Sequence, residues 1–196
     1  MLVLLLWACN PTPKDSAAPL TCSERFDGPP PTQAADIEAL AATAIGAYAP
    51  VLSGVEIRYA EISSESVFFQ ANLDVTTIED DPLERSYTLQ YNAALFSSPP
   101  SSAAVGAILV HELRHILDYA EMESAELSEF LVWYLSEDVS SYERATDEYA
   151  LEAGCGEGLI AYREWLYATI PPEALAEKQR NYYTPEEIEA WMAANP

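Results

Sequence analysis

The feature that most constrains this chain is an apolar stretch at residues 103–119, AAVGAILVHELRHILDY. It contains both histidines of the protein, His111 and His115, which are four positions apart with Glu112 between them. Side chains at this spacing lie on the same face of an α-helix, so a helix here would point both imidazoles in one direction. Because residues 103–117 are otherwise almost entirely apolar, we expect this helix to be buried.

Burial makes the polar residues of this helix informative about chemistry. Two imidazoles and a carboxylate buried without partners would cost about 2–7 kcal/mol for each group, and a bound metal ion removes that cost. HELRH is an HExxH motif, in which two histidines bind Zn²⁺ and the glutamate acts as general base on water. We therefore expect Zn²⁺ on His111 and His115, with Glu112 as catalytic base. The alternative is a coincidental match on an ordinary amphipathic helix.

Composition limits the partners and the remaining ligands. The chain has 32 acidic and 9 basic residues and a net charge of −23, which argues against nucleic acid or an anionic membrane surface as a partner. Cys9, Cys22 and Cys155 do not have zinc-finger spacing, so the remaining ligand should be a carboxylate.

The N-terminus predicts export. Residues 1–8, MLVLLLWA, are too few to span a bilayer but suit the apolar region of an export signal. The sequence LWAC resembles the lipobox of bacterial lipoproteins, which implies a lipid anchor at Cys9 and a location in the bacterial cell envelope. Residues 9–31 are polar and rich in proline, which predicts a flexible tether before a single domain at 32–196. After export, Cys22 and Cys155 could pair, or both could be buried thiols.

The rest of the pattern predicts an α+β domain. Apolar spacing predicts a helix over 32–48, and strand-like runs follow at 55–60, 66–73 and 86–91. We expect a small, mostly antiparallel sheet packed on the HELRH helix and then a helical C-terminal part. Its helices are predicted at 125–136, 142–153 and 159–170, with a capping box at Thr184 opening a last helix through Ala194.

The helix predicted at 142–153 carries Glu143 and Asp147 four positions apart. Together with HELRH, this ExxxD motif resembles the gluzincins, a group of zinc peptidases with the zincin fold. The resemblance implies that Glu143 is the third zinc ligand and that Asp147 hydrogen-bonds a zinc-binding histidine, which agrees with the carboxylate partner that a metal-bound imidazole needs. Glu148, which with Glu152 forms a second pair of acids four apart, is the competing ligand. Asp118 lies one turn beyond His115, so we expect it to support the site or lie at the surface.

The order of elements is also similar to the N-terminal half of zincin-fold peptidases, and HELRHILD is similar to the metal helix of anthrax-lethal-factor-like peptidases. The first resemblance implies that the strand before the metal helix is an edge strand that pairs with an extended peptide, with Gln90, Tyr91 and Asn92 lining the cleft. Such enzymes also need a donor to the oxyanion. The candidates are Tyr142, Arg144, Tyr149, Tyr182 and Tyr183.

These observations lead to one expected function and one alternative. We expect a zinc-dependent peptidase that hydrolyses bonds within a peptide or protein substrate and touches the membrane only through its lipid anchor. The alternative is a non-catalytic zinc-binding lipoprotein or interaction module built on a degenerate zincin scaffold. Retention of Glu112 favours catalysis without establishing it.

Overall fold

A computed structural model of the chain describes residues 20–195. The predicted export signal, the lipid anchor at Cys9 and the first half of the predicted tether lie outside the described residues. The described part is an α+β domain, as predicted. Its strands are β1 (Ile57–Ile62), β2 (Phe69–Leu73) and β3 (Tyr87–Asn92), and its helices are α1 (Cys22–Arg25), α2 (Ala34–Tyr48), α3 (Ser102–Glu121), α4 (Ser124–Ser136), α5 (Ser140–Glu152), α6 (Gly156–Thr169), α7 (Pro172–Asn181) and α8 (Pro185–Ala194).

The three strands form a mixed sheet in the order β1-β3-β2. Strand β3 runs parallel to β1 and antiparallel to β2, so the prediction of a mostly antiparallel sheet is wrong. The prediction that β3 is an edge strand is also wrong, because β3 lies at the centre. Tyr87 and Leu89 are fully buried on this strand, and it pairs through Leu89 with both neighbours. Strands β1 and β2 are the two edges of the sheet, and β2 is the edge strand that packs against the HELRH helix.

Helix α3 carries the HELRH motif and lies at the centre of the domain, packed against α2, α5, α6 and β2. Its N-cap is Ser101, whose side chain accepts a hydrogen bond from the backbone N–H of Ala104. Helix α6 approaches α3 closely because Gly158 has no side chain. A Cβ at that position would lie 2.6 Å from the carbonyl oxygen of Ala103. The predicted buried helix is confirmed, and neighbouring helices surround it.

The segment from residue 20 to residue 31 belongs to the domain, contrary to the prediction of a tether up to residue 31. Cys22 opens α1 and forms a disulfide bond with Cys155, one of the two alternatives left open by the sequence. Phe26 is buried against Gly106 of α3, and the Ser102 hydroxyl donates to the carbonyl of Pro29. The segment packs on the domain through Cys22, Phe26 and Pro31, which are buried within an otherwise polar stretch.

The C-terminal part is helical, as predicted. The helices expected at 125–136, 142–153, 159–170 and after Thr184 are all present, and the capping box between Thr184 and Glu187 is formed. Helix α7 was not predicted. Helix α4 is peripheral, since Leu127 is its one buried residue while Val132 and Leu135 are 69% and 85% exposed. None of the helices between residues 20 and 195 has both the length and the apolar character needed to cross a membrane.

Candidate metal centre

Helices α3 and α5 bring together the three predicted ligands. The Nε2 atoms of His111 and His115 lie 3.4 and 3.5 Å from Oε2 of Glu143. One ligand atom from each residue falls within 4.8 Å of the others, and all three residues are buried. The competing acid, Glu148, points elsewhere, because its carboxylate accepts a hydrogen bond from the Tyr183 hydroxyl at 2.7 Å. The described residues therefore contain a buried His–His–Glu group that could hold a metal ion.

The spacing and bonding of this group fit a tetrahedral ion. Atoms about 2.0–2.1 Å from a tetrahedral Zn²⁺ lie about 3.3–3.4 Å from one another, close to the two distances between histidine and Glu143. Oε2 of Glu143 is buried and has no hydrogen-bond donor among the described residues. Its other oxygen, Oε1, accepts a hydrogen bond from the Tyr134 hydroxyl at 2.6 Å. An unpaired carboxylate oxygen between two imidazoles is the arrangement that a cation would satisfy.

His111 is held from behind by Asp147. Its Nδ1 lies 2.8 Å from Oδ1 of Asp147, an ion-pair contact, while its Nε2 faces Glu143. Asp147 is fully buried and is itself held by Arg163, at 2.8 Å, and by the backbone N–H of Tyr183, at 2.9 Å. The carboxylate therefore cannot rotate away without breaking three contacts.

His115 is held by a different pair of residues. Its Nδ1 lies 3.0 Å from the Tyr142 hydroxyl, which donates to Oδ2 of Asp118 at 2.9 Å. Because the tyrosine proton goes to a carboxylate, the tyrosine oxygen must accept from Nδ1–H, which leaves the lone pair of Nε2 free for a metal. Asp118 also pairs with Arg114. It therefore supports the site through a tyrosine, a role that the sequence left undecided between support and surface.

The charges around the group stabilise a cation. Burial lowers the pKa of His111, but the hydrogen bond and charge of Asp147, together with Glu143 and Glu112, outweigh burial and raise this pKa to about 10. Burial raises the pKa of Glu143, yet contacts with His111 and His115 hold it well below its usual range. Both shifts have one cause, because opposite charges in close contact favour each other's charged forms.

Glu112 lies beside the ligands, on the wall of a cleft of about 390 Å³. Its Oε2 accepts a hydrogen bond from the backbone N–H of Ala71 in β2 at 2.8 Å. The same cleft is lined by residues 66–73, by His115 and Glu143, and by parts of α4, α6 and α7. Glu112, the base expected from the sequence, thus contacts the edge strand β2 and lines the same cleft as His115 and Glu143.

The residues predicted to line the cleft lie elsewhere. Asn92 donates to the carbonyls of Ser64 and Val67, and the side chain of Gln90 accepts from Asn72. Tyr91 is buried in the core. These three residues are not in the cleft because β3 is the central strand, and β2 occupies the place that the sequence assigned to β3.

Of the five candidate oxyanion donors, Tyr182 is the one that lines the cleft. Its ring centroid lies 5.8 Å from that of His111. Burial raises the pKa of Tyr182 well above its usual value, and Glu143 and Glu112 raise it further, so its hydroxyl remains a donor at alkaline pH. The side chains of the other four are bonded elsewhere: Tyr142 to Asp118, Arg144 to Glu187, Tyr149 to the carbonyl of Tyr48, and Tyr183 to Glu148.

The histidines and carboxylates of this centre thus form the donor set of a candidate metal site with an adjacent acid in an open cleft. Comparison of the chain with models of protein families, with curated proteins and with solved structures finds no match. The geometry of the site and the sequence motifs therefore carry the functional proposal.

Proposed function

We propose that this protein is a zinc-dependent peptidase of the gluzincin type, with a zincin-like fold. The observation that supports the proposal most strongly is the buried His111–His115–Glu143 group beside Glu112 in an open cleft. Two imidazoles and one carboxylate, with both histidine–Glu143 distances close to those of a tetrahedral site, suit Zn²⁺, and three protein ligands would leave the fourth position for water or substrate.

The remaining residues supply the steps of hydrolysis. Zn²⁺, when bound, lowers the pKa of water and polarises the scissile carbonyl. Glu112 accepts the proton of the attacking water and delivers it to the leaving amine, so that one carboxylate serves as base and then as acid. The Tyr182 hydroxyl donates to the oxygen that becomes negatively charged in the tetrahedral intermediate. Asp147 and Tyr142 keep the two imidazoles in the tautomer that binds metal.

We propose β2 as the strand that holds the substrate. It is an edge strand, and its residues and the three before it line the cleft on the side of Glu112. An extended peptide added to this edge would form main-chain hydrogen bonds with β2 and pass the ligand group. Main-chain hydrogen bonds to residues near Ala71 would position the scissile bond whatever the side chains of the substrate.

We further propose that the protein works outside the cytoplasm, as a lipoprotein anchored at Cys9 in a bacterial cell envelope. The Cys22–Cys155 disulfide supports this proposal, because such bonds persist in oxidising compartments. The apolar run at residues 1–8 and the LWAC sequence point to the same location.

The test of the proposal is hydrolysis of an unstructured polypeptide by Glu112→Gln. We expect this variant to bind one equivalent of zinc and to lose hydrolysis by at least about 100-fold, the lower end of what a general base contributes. The matched control is Glu148→Gln on α5, whose carboxylate is outside the ligand group. Undiminished turnover in Glu112→Gln would remove the proposed base. Stoichiometric zinc without cleavage by the natural chain would favour the non-catalytic alternative.

A further inference from the structure

The cleft contains two basic side chains, and they differ in their partners. Arg163 is buried and its guanidinium is committed to Asp147 at 2.8 Å. Lys178, in the last turn of α7, lines the same cleft, and within residues 20–195 it forms neither an ion pair nor a side-chain hydrogen bond. Its Nζ lies over the ring of Tyr182, 5.4 Å from the ring centroid. Among the described residues, Lys178 is therefore the basic side chain of the cleft that has a cation–π contact but no carboxylate partner.

An unpaired lysine is unexpected in this chain. Acidic residues outnumber basic ones by 32 to 9, so carboxylate partners are plentiful. Lys178 is nevertheless half-buried, and burial lowers its pKa because the ammonium loses contact with water there. A cation in the last helical turn stabilises the helix dipole, but the exposed Arg180 in the same turn already has that position. Helix stability alone thus does not explain a lysine facing the cleft.

We propose that Lys178 binds a carboxylate of the substrate and so determines its specificity. This inference rests on the proposed function and adds the substrate class, a peptide with an acidic side chain or a free C-terminal carboxylate close to the scissile bond. Lys178 lies beside Tyr182 and lines the same cleft as Glu112, His115 and Glu143, so it can bind such a carboxylate near the scissile bond.

The electrostatics of the protein give this contact its selectivity. A substrate carboxylate is repelled by most of a surface with a net charge of −23, so one free ammonium in the cleft fixes where an anionic group can bind. A charge-assisted hydrogen bond in a partly desolvated site is stronger than one at an exposed surface. Of the two basic side chains in the cleft wall, Arg163 is paired with Asp147, which leaves Lys178 as the cation that can bind an anionic group.

The inference is tested with paired peptides that differ in one carboxylate. One pair has Glu or Gln at each position flanking the cut, and the other has a C-terminal acid or amide. The zinc-loaded full chain should favour the peptide with the carboxylate by about tenfold in kcat/KM, the size of one charged hydrogen bond. The pair that shows the preference identifies whether the carboxylate comes from a side chain or from the chain terminus.

Three variants connect the preference to Lys178. In Lys178→Met the preference should fall to about onefold, mainly through KM, because binding rather than chemistry is changed. Lys178→Arg should retain it, since the charge remains. The matched control is Arg180→Met, which removes an exposed charge from the same turn and should also retain it. Equal preference in Lys178→Met and the natural chain, or no preference in the natural chain, would overturn the inference.

Binding measurements separate this inference from the proposed function. Calorimetric titration of zinc-loaded Glu112→Gln with the same peptides should show the same approximately tenfold difference in Kd. A Kd difference that disappears with Lys178→Met, together with no cleavage of either peptide by the zinc-loaded natural chain, would support the carboxylate site and refute the peptidase. Cleavage of both peptides without any difference in Kd would support the peptidase and refute the carboxylate site.

Discussion

The Tyr142 hydroxyl is the least obvious support of the proposed metal centre, and Tyr142→Phe removes it while keeping the ring. The substitution leaves Nδ1–H of His115 without its acceptor, and Asp118 loses a donor at 2.9 Å. Replacing the outer partner of a metal-bound histidine lowers metal affinity by about 10–100-fold, which corresponds to about 1.4–2.7 kcal/mol. We expect the zinc Kd of Tyr142→Phe to rise within this range.

The assay is competition for zinc with a chromophoric chelator at pH 7. The matched control is Tyr149→Phe, which removes a hydroxyl from the same helix that donates to the carbonyl of Tyr48 rather than to the site. Urea unfolding of both variants without zinc measures their loss of stability, so that a difference in zinc Kd reflects the site. A Tyr142→Phe variant that binds zinc as tightly as the natural chain and Tyr149→Phe would refute the proposed support.

Three further predictions concern the scaffold. Gly158→Ala should lower the free energy of unfolding, measured in urea, by about 1–3 kcal/mol because the new Cβ would meet the backbone of α3. Gly46→Ala should raise the same free energy by about 0.5–1 kcal/mol, because no atom lies within 4 Å of a Cβ there and alanine favours the helix. Reduction of the Cys22–Cys155 disulfide should cost about 2–5 kcal/mol, visible as a lower Tm in reductant, and an unchanged Tm would contradict its presence. Burial raises the pKa of Glu187, but the ion pair with Arg144 and the backbone N–H of Thr184 lower this pKa overall. The charged Glu187 carboxylate therefore stabilises the folded protein above the unfolded pKa of about 4.3, and this stabilisation is lost as the pH falls through the folded pKa. Glu187→Gln should therefore destabilise the protein by about 0.5–1 kcal/mol at pH 7 and by much less at pH 3, and an equal cost at both would contradict this linkage.

The sequence was most informative where its signal is local. The four-residue spacing of His111 and His115 and that of Glu143 and Asp147 each fix one face of one helix, and the structure brings these two faces together. The pairing of Cys22 with Cys155 was one of two alternatives that the sequence left open, and the structure shows the disulfide bond. The two helical faces could be predicted because their residues are separated by one helical turn, and the disulfide could be narrowed to one pair because the chain has few cysteines.

Strand order and supporting contacts could not be predicted in the same way. The position of β3 between β1 and β2 depends on pairing between distant segments, which leaves no trace in the alternation within one strand. The contacts of Tyr134 with Glu143 and of Tyr142 with His115 join different helices and likewise have no local signal. The contact of Arg163 with Asp147 did have a local signal in the sequence. A basic residue in an apolar helix of so acidic a chain indicates a buried acidic partner.

The most direct measurement of the central claim is the zinc content of the purified full chain after dialysis against a small excess of zinc. Elemental analysis should find one zinc ion per natural chain and a large loss in both His115→Ala and Glu143→Gln, because each substitution removes one of three ligands. Glu148→Gln is the control and should retain its zinc. A natural chain without zinc, or full zinc content in His115→Ala and Glu143→Gln, would contradict the claim that these residues form a metal centre.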